Sequence, residues 1–273
     1  MKIAFQGELG AYSESAVYQF FGAKAQAKPV RDFKDVFDSV CSQETQHGVV
    51  PVENSLEGSV TQSYDLFLRY DLKVCGEVIV KIEHCLIANP STAIEDIEVV
   101  YSHPQALAQC RSFLEEFGRE LIPTYDTAGS VKMLKEKELR NAAAIASERA
   151  ANLYGMHILA KDIADNPENY TRFFVLSNED SDPTGKDKTS IIFSAAHKPG
   201  SLYNALGEFA ERNINLTKIE SRPTKQTPWE YNFYLDFEGH RNEKRCSEAL
   251  KALEKYANFV KILGSYPRAK ALP

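Results

Sequence analysis

The chain has 273 residues, of which 43% are hydrophobic and 26% charged, a composition that fits one large or two modest globular domains. Its formal net charge of −6 disfavours a general nucleic-acid binder, because such proteins usually carry a basic stripe. It has no apolar stretch long enough to span a bilayer and no signal-peptide pattern at its start, so we expect a cytoplasmic protein without a membrane partner.

The cysteines and histidines indicate neither a disulfide framework nor a metal site. Five cysteines are scattered along the chain without a Cys-x-x-Cys pair, as is typical of a protein from the reducing cytosol. The six histidines include no His-x-x-x-His pair of the kind that binds a metal from one helix face. We therefore expect no metal.

The first segment, Met1 to about Asn178, alternates short apolar runs with amphipathic stretches. The predicted strands are Lys2–Phe5, His47–Val52, Lys73–Val80, His84–Ala88, Glu98–Tyr101, Ala142–Ala146, His157–Ala160 and Arg172–Leu176. The predicted helices are Tyr12–Phe21, Phe33–Ser42, Ser55–Arg69, Pro104–Phe117, Ala128–Lys137 and Glu148–Tyr154. This alternation predicts an α/β fold with largely parallel pairing, and a crossover near Lys73–Ile82 would divide it into two lobes around a cleft.

A polar stretch from Asn178 to Lys188, with Pro183 and Gly185, predicts a linker. The elements predicted after it are strand Thr189–Ser194, helix Ser201–Arg212, strands Asn215–Ser221 and Glu230–Phe237, helix Glu243–Lys255 and strand Val260–Tyr266. This βαββαβ order is that of a ferredoxin-like unit. The open face and edge strand of so small a sheet favour dimerisation.

Four places in the first segment combine a strand end with a helix start and carry small or hydroxyl residues. They are Gly7–Ser13, Asn54–Ser59, Ser102–Gln105 and Asp126–Ser130. Ligands of open α/β sheets bind beyond the carboxyl ends of strands, where helix starts offer unpaired N–H groups. Several helix starts around one cleft would hold an anion without many lysines.

Each candidate also has a plain structural interpretation. Ser102, Asp126 and the Asn54-Ser55 pair stand where helix caps stand, and capping alone explains most such residues. His103 fits an ordinary residue at a helix start. The Thr171-Arg172-Phe173 triplet opens a strand and fits a plain β-strand as well as a cleft rim that offers a hydroxyl and a guanidinium.

Six short motifs follow one another along the first segment. They are Gly7-x-x-Gly10-x-Tyr12-Ser13, Pro51-Val52-Glu53-Asn54-Ser55-x-x-Gly58-Ser59-Val60, Ser102-His103-Pro104-Gln105-Ala106-Leu107-x-Gln109-Cys110, Asp126-Thr127-Ala128, Ala144-Ile145-Ala146-Ser147 and Thr171-Arg172-Phe173. Together they resemble the motifs of a prephenate dehydratase domain. The second segment resembles an ACT domain through Lys198-Pro199-Gly200-Ser201-Leu202-Tyr203 and the run from Ile214 to Pro223, which contains Glu220-Ser221-Arg222.

The resemblance implies a two-lobed catalytic domain like periplasmic binding proteins at residues 1–180 and an ACT regulatory domain at residues 189–268. It implies that Thr171 and Arg172 are catalytic. It further implies substrate-binding positions at Asn54, Ser55, Ser102, Gln109 and Phe173. Phenylalanine-binding positions are implied at Gly200, Ser201, Leu202, Glu220, Ser221 and Arg222, with Ser201 standing where the family usually has alanine.

The activity implied is the decarboxylating dehydration of prephenate to phenylpyruvate, without a metal or organic cofactor and under feedback control by L-phenylalanine. The implied assembly is a homodimer or homotetramer formed through the ACT domains. Because the first predicted strand begins at Lys2, we expect no chorismate mutase domain of the kind that precedes this unit in bifunctional relatives. Two alternatives stay open at this point: an arogenate dehydratase, and a non-catalytic protein that senses an amino acid.

Overall fold

The computed structural model describes residues 1–196, 198–224 and 229–269. The chain divides into two compact units, and the division falls inside two strands and a helix. The first unit comprises Met1–Ser63 and Val78–Phe173; the second comprises Tyr64–Glu77 and the described residues from Phe174 onward. None of the helices in these ranges combines the length and apolar character needed to cross a membrane.

Eleven strands and seven α-helices precede the ferredoxin-like part of the described chain. The strands are β1 (Lys2–Gln6), β2 (Gln26–Val30), β3 (His47–Asn54), β4 (Gly58–Ser59), β5 (Lys73–Lys81), β6 (Cys85–Ala88), β7 (Val99–Ser102), β8 (Glu120–Pro123), β9 (Ala142–Ala146), β10 (His157–Ala160) and β11 (Tyr170–Ser177). The helices are α1 (Tyr12–Phe21), α2 (Phe33–Cys41), α3 (Thr61–Arg69), α4 (Pro104–Gln109), α5 (Arg111–Phe117), α6 (Thr127–Glu136) and α7 (Glu148–Tyr154). A short 3₁₀ turn spans Ile94–Asp96.

These strands form two sheets, as the predicted two-lobed α/β fold requires. One sheet has the order β2-β1-β3-β11-β5, with β4 paired to β3, and the other has the order β10-β6-β9-β7-β8. Strand β1 runs parallel to β2 and β3, and β7 runs parallel to β8 and β9. Strand β6 is antiparallel to both of its neighbours, so the mixed α/β class is confirmed with less parallel pairing than the pattern predicts.

Strand β9 is an uninterrupted run of apolar residues, which explains why it lies inside its sheet. All five residues of Ala142–Ala146 are buried, as expected for a strand covered on both faces. Leu86, Val100 and Ile145 pack with Leu114 of α5 into the core of this lobe. Each fully buried side chain of this size contributes roughly 1.5–3 kcal/mol to stability.

The sequence analysis missed two edge strands and misplaced two helices. Strands β2 and β8 lie at sheet edges and are partly exposed, so they lack the apolar alternation that predicts a strand. The helix expected from Ser55 begins only at Thr61, because the chain first turns back through β4. The helix expected over Pro104–Phe117 is interrupted at Cys110 and forms α4 and α5.

The second unit contains the predicted βαββαβ arrangement. Its elements are β12 (Asp187–Ala195), α8 (Ser201–Ala210), β13 (Leu216–Pro223), β14 (Tyr231–Glu238), α9 (Lys244–Leu253) and β15 (Ala257–Pro267). The antiparallel sheet has the order β13-β14-β12-β15. Phe193, Phe209 and Phe237 are fully buried in the core between this sheet and the two helices.

The second unit also includes Tyr64–Glu77, which lies far from the predicted linker in sequence. The Phe174 ring lies 5.8 Å from the Phe67 ring and 5.5 Å from the Tyr266 ring, measured between centroids. Ser181, within the predicted linker, donates a hydrogen bond of 2.7 Å to the Cys75 carbonyl oxygen. The division into compact units therefore does not coincide with the polar stretch from Asn178 to Lys188.

Candidate active site

A cavity of about 360 Å³ lies within the first unit, lined by residues from both of its sheets. The lining residues are Gln6, Ala11, Tyr12, Ser13, Phe33, Pro51, Asn54, Val60, Gln62, Ile82, His84, His103, Gln105, Ala106, Gln109, Tyr125, Asp126, Thr127, Thr171 and Phe173. All four of the predicted strand ends contribute to this wall. The structure therefore brings together the helix starts that the sequence singled out.

The wall suits an anionic ligand although no Lys or Arg side chain is among its described residues. The starts of α1, α4 and α6 lie on it, and the first N–H groups of a helix have no partner within the helix. His103 caps α4 and Asp126 caps α6, whereas α1 has no side-chain cap. In the described part of the chain, no group of three or more His, Cys, Asp or Glu side chains could hold a metal ion.

Two glycines allow the loop before α1 to pack closely on the other lobe. Gly10 has a φ of +93°, and a Cβ there would lie 2.8 Å from the Ala150 Cα atom. Gly7 has a φ of +111°, and a Cβ there would lie 2.8 Å from a carboxylate oxygen of Asp126. Both positions demand glycine for conformation and for space, which explains the Gly-x-x-Gly spacing.

Asn54 and Thr171 meet on the neighbouring strands β3 and β11. The Asn54 amide nitrogen donates to the Thr171 hydroxyl oxygen at 3.0 Å and to Asn169 Oδ1 at 2.7 Å. The Asn54 amide oxygen accepts from the backbone N–H groups of Leu56 and Glu57, both at 3.0 Å. The orientation of the amide is thus set by its surroundings, and the Thr171 oxygen acts as an acceptor towards it.

Gln109 is buried and presents an unsatisfied donor. Its Oε1 atom lies 2.9 Å from Asn169 Nδ2 and 3.0 Å from His84 Nε2. Its Nε2 atom is buried and has no hydrogen-bond partner among the described residues. A buried polar atom on a cavity wall without a partner is suited to bind a ligand.

The titratable groups on the wall are shifted towards their neutral forms. Burial lowers the pKa of His84, and the hydrogen bond with Gln109 opposes this shift. Burial also lowers the pKa of His103, whose Nδ1 atom accepts from the Gln105 N–H at 3.2 Å and so caps α4. Burial raises the pKa of Asp126, although its carboxylate caps α6 through the Gly129 N–H at 2.7 Å.

Three predicted site residues, Ser55, Ser102 and Arg172, are not among the described lining residues of this cavity, and a direct contact of their side chains with substrate stays a prediction. Ser102 donates to the Ile145 carbonyl at 2.6 Å, and Ser55 donates to the Glu168 carbonyl at 3.0 Å. The Arg172 guanidinium lies 3.5 Å from the Glu53 carboxylate. Successive side chains of a strand point to opposite faces, so Arg172 points away from the face that carries Thr171.

Four predicted residues do line the cavity: Asn54, Gln109, Thr171 and Phe173. The sequence analysis missed Tyr12 and His84 on the wall and Asn169 behind it. Tyr12 stands inside one of the quoted motifs and could have been proposed from it. No periodicity or spacing marks His84 or Asn169, because their roles depend on partners distant in sequence.

A second cavity, of about 400 Å³, lies in the second unit. Its lining residues are Ala195, Ala196, Lys198, Pro199, Ser201, Leu202, Trp229, Glu230, Tyr231 and Phe233. Gly200, with a φ of +82°, lies in the loop that starts α8. The structure thus places the predicted Ser201 and Leu202 on this wall. Glu220, Ser221 and Arg222 lie on β13 and are not among its described lining residues.

Both parts of the chain match known families. A family model described as prephenate dehydratase matches residues 3–181, and one described as ACT domain matches residues 189–255. These matches cover the unit that holds the first cavity and the ferredoxin-like part that holds the second.

Known proteins resemble the chain over nearly its whole length. It is 45% identical to a bifunctional chorismate mutase/prephenate dehydratase of Aquifex aeolicus, covering 98% of this chain and 74% of that protein. It is 44% identical to arogenate dehydratase/prephenate dehydratase 2, chloroplastic, of Arabidopsis thaliana, covering 98% and 73%. A crystal structure of prephenate dehydratase from Arthrobacter aurescens in complex with L-Phe superposes with a TM-score of 0.89 at 34% identity, covering 98% of this chain and 90% of that one.

Proposed function

The chain belongs to the prephenate dehydratase family, and from that premise we propose that it converts prephenate to phenylpyruvate. One observation carries the proposal beyond family membership. The Thr171 hydroxyl lies on the wall of a cavity of about 360 Å³, and its oxygen accepts a hydrogen bond from Asn54. Its proton is therefore directed to another acceptor, and the cavity offers one when substrate is bound.

The chemistry of the reaction explains what such a group does. Prephenate carries two carboxylates and a ring hydroxyl. The bond between the ring and its carboxylate breaks, and that group leaves as carbon dioxide. The electrons of this bond complete the aromatic ring and expel the hydroxyl, which needs one proton to leave as water. The reaction therefore requires a donor at the leaving oxygen and a site for the charged groups, but no redox change. We assign the donor role to Thr171, which stabilises the departing oxygen while its proton is replaced through water.

The carboxylates would be held by neutral donors. The start of α1, which has no side-chain cap, lies on the cavity wall, and so does Gln109, whose Nε2 atom has no partner among the described residues. Arg172 would act from behind, because its contact with Glu53 joins β11 to β3, the strand that carries Asn54. We therefore assign Arg172 a supporting role. Phe173 supplies an apolar surface for the ring.

The purified protein should convert prephenate to phenylpyruvate, followed by the absorbance of the product in alkali. Absence of turnover by correctly folded wild-type protein would exclude the proposed activity. The result would then favour the non-catalytic alternative, which a direct measurement of prephenate binding would test.

Arogenate dehydratase is the second candidate. The relative from Arabidopsis thaliana, whose name includes both substrates, is 44% identical to this chain, nearly the same as the bacterial relative. Arogenate carries an amino group where prephenate has a keto group. A competition assay with both substrates in one vessel, with phenylpyruvate and phenylalanine quantified, assigns the preference through the ratio of the two kcat/KM values.

The C-terminal part is proposed to be an ACT regulatory domain at residues 189–268 that binds L-phenylalanine, after a catalytic domain at residues 1–180. Three observations support this proposal: the family match at residues 189–255, the L-Phe complex of the similar protein from Arthrobacter aurescens, and the cavity beside Ser201 and Leu202. We propose a homodimer or homotetramer formed through this domain, in which Glu220–Arg222 of one chain approach the loop at Gly200 of another. Ile219 and Phe259 of its sheet are exposed, consistent with such an interface.

Light scattering with and without phenylalanine tests the assembly, which should be dimeric or larger in both conditions. A cytoplasmic location is also proposed, supported by the five cysteines, which are scattered along the chain without a Cys-x-x-Cys pair. Fractionation of cells that express the protein would test the location.

A further inference from the structure

A chain of side-chain hydrogen bonds runs behind the wall of the first cavity. Asn54 contacts Thr171 and Asn169, Asn169 contacts Gln109, and Gln109 contacts His84, over distances between 2.7 and 3.0 Å. Asn169 is fully buried, and His84 is only 2% exposed. Three of these residues are drawn from loops or strand ends that are distant in sequence, so the chain exists only in the folded protein.

The donor and the acceptor of each of these hydrogen bonds follow from the orientation of the Asn54 amide. The Asn54 oxygen is occupied by two backbone N–H groups, so the Asn54 nitrogen must be the donor to Asn169. Asn169 therefore accepts through Oδ1 and donates through Nδ2 to Gln109. The Gln109 oxygen is then an acceptor, which leaves its Nε2 atom as the group without a described partner.

The same logic decides the tautomer of His84. Because Gln109 Oε1 is an acceptor, the His84 Nε2 atom at 3.0 Å must carry a hydrogen. On its other side, His84 Nδ1 lies 3.2 Å from the Tyr12 hydroxyl oxygen, whose single hydrogen is donated to the Glu83 carbonyl. Burial lowers the pKa of His84, which favours the neutral imidazole with its hydrogen on Nε2.

We propose that His84 and Asn169 are positioning residues of the dehydratase reaction. Together they hold the Gln109 amide with its N–H groups towards the substrate, and Asn169 also holds the Asn54 amide that orients Thr171. Neither residue is required to touch the reacting atoms. This inference rests on the proposed function, because it explains how the Thr171 hydroxyl and the Gln109 amide nitrogen are oriented towards the substrate.

A purely structural role accounts less well for this arrangement. Buried polar groups normally satisfy one another, so a buried donor without a partner on a cavity wall is suited to bind a ligand. Here Gln109 Nε2 is left unused among the described residues, and Gln109 lies on the wall of the cavity that also holds Thr171. Asn169 Nδ2 and His84 Nε2 both donate to Gln109 Oε1, so a rotation of the amide by about 180° would lose both hydrogen bonds.

The first experiment replaces the donor in the hydrogen bond between Asn169 and Gln109 by an acceptor of nearly the same shape. Asn169→Asp keeps the acceptor for Asn54 but removes the donor to Gln109, so the Gln109 amide should turn and present its oxygen to an anionic substrate. We expect kcat/KM for prephenate to fall on the order of 10²-fold. Thr92→Val is the matched control, because Thr92 is buried and bonded to the Arg140 carbonyl at 3.0 Å but does not line the cavity.

The second experiment tests His84 by loss and rescue. His84→Leu removes the donor to Gln109 and should lower kcat/KM about tenfold or more, whereas His84→Gln restores an N–H donor and should return most of it. In a Gln109→Ala background, His84→Leu should have little further effect, because the group that it positions is already gone. Full activity of both His84→Leu and Asn169→Asp, or additive losses with Gln109→Ala, would overturn the proposal.

A measurement independent of turnover separates this inference from the proposed function. The ¹⁵N chemical shifts of the His84 ring, assigned with the His84→Gln variant, should show a neutral imidazole protonated at Nε2 near pH ~7. A ring protonated at Nδ1 alone would refute the inference even in an active enzyme. Failure of wild-type protein to convert prephenate, with the Nε2–H tautomer present, would instead refute the proposed reaction.

Discussion

The Asn54 side-chain amide donates a hydrogen bond of 3.0 Å to the hydroxyl oxygen of Thr171 on the neighbouring strand. The Asn54 oxygen is held by two backbone N–H groups, so the amide cannot turn over without losing both. The direction of this single hydrogen bond decides what Thr171 can do. Its oxygen accepts from Asn54, and its hydrogen points to a different partner.

Asn54→Asp reverses that direction at almost constant volume. The carboxylate accepts hydrogen bonds only, so the Thr171 hydrogen should turn towards it and away from the cavity, and a negative charge is added beside a dianionic substrate. We expect kcat/KM for prephenate to fall by a factor on the order of 10² or more. Asn152→Asp, in an exposed position of α7, should leave kcat/KM unchanged. Equal activities of the two variants would contradict the assigned direction.

Thr171→Ala should reduce kcat by a factor on the order of 10² or more with a modest change in KM, because the hydroxyl is used mainly in the transition state. Thr171→Ser keeps a hydroxyl within reach of Asn54 and should retain much of the activity. Steady-state kinetics of the three proteins are the measurement. If Thr171→Ala turns over like wild type, Thr171 serves only as a strand residue.

Gly200→Val should abolish inhibition by phenylalanine while basal activity is preserved. Gly200 has a φ of +82° in the loop that starts α8, where a β-branched side chain is strained and would cover the backbone N–H groups. Gly185→Val is the matched control, because Gly185 has a φ of +83° and a Cβ there would meet no atom within 4 Å. Inhibition curves for both variants decide the matter, and a fully inhibited Gly200→Val protein would place the effector site elsewhere.

Gly264→Ala should strongly destabilise the second unit. A Cβ at Gly264 would lie 2.1 Å from the Val74 carbonyl oxygen, so the backbone would have to move apart. We expect a loss of about 2 kcal/mol or more in the free energy of unfolding. The matched control is Gly207→Ala in α8, where a Cβ meets no atom within 4 Å and the change should stabilise by about 0.5–1 kcal/mol. Urea unfolding of both variants tests this close packing of residues 64–77.

The free energy of unfolding should decrease as the pH falls below about 6.5, the ordinary pKa of histidine. Burial lowers the pKa of both His84 and His103, so the unfolded chain binds more protons than the folded one in this window. Protonation would also remove the acceptor with which His103 caps α4. His84→Gln should flatten the decrease, measured by urea unfolding at a series of pH values. An unchanged pH profile in this variant would show that His84 does not contribute.

Local sequence rules predicted those features that depend on neighbours along the chain. The start of α6 follows from Asp126, whose side chain accepts from the Gly129 N–H as an N-cap does. The βαββαβ order after the polar stretch follows from apolar periodicity and is present as predicted. The starts of α4 and α6 share one wall because the strands before them, β7 and β8, are parallel in one sheet and bring their carboxyl ends to a common edge.

The edge strands and the orientation of Arg172 could not be decided in this way. An edge strand such as β2 buries little, so its sequence lacks a pattern to detect. Alternation along β11 implies that Thr171 and Arg172 point to opposite faces, but only the packing of the sheet shows that the Thr171 face borders the cavity.

By itself, the sequence determined the fold class, the βαββαβ order of the second segment and the family of this protein, because these depend on local periodicity and on motifs that follow one another along the chain. Only the tertiary structure decided how the site is assembled. Asn54 meets Asn169 across 115 residues, and Asn169 meets Gln109 across 60. The physical reason is that a hydrogen bond between side chains depends on angstrom-scale distance and direction, which packing creates and no spacing in the sequence records.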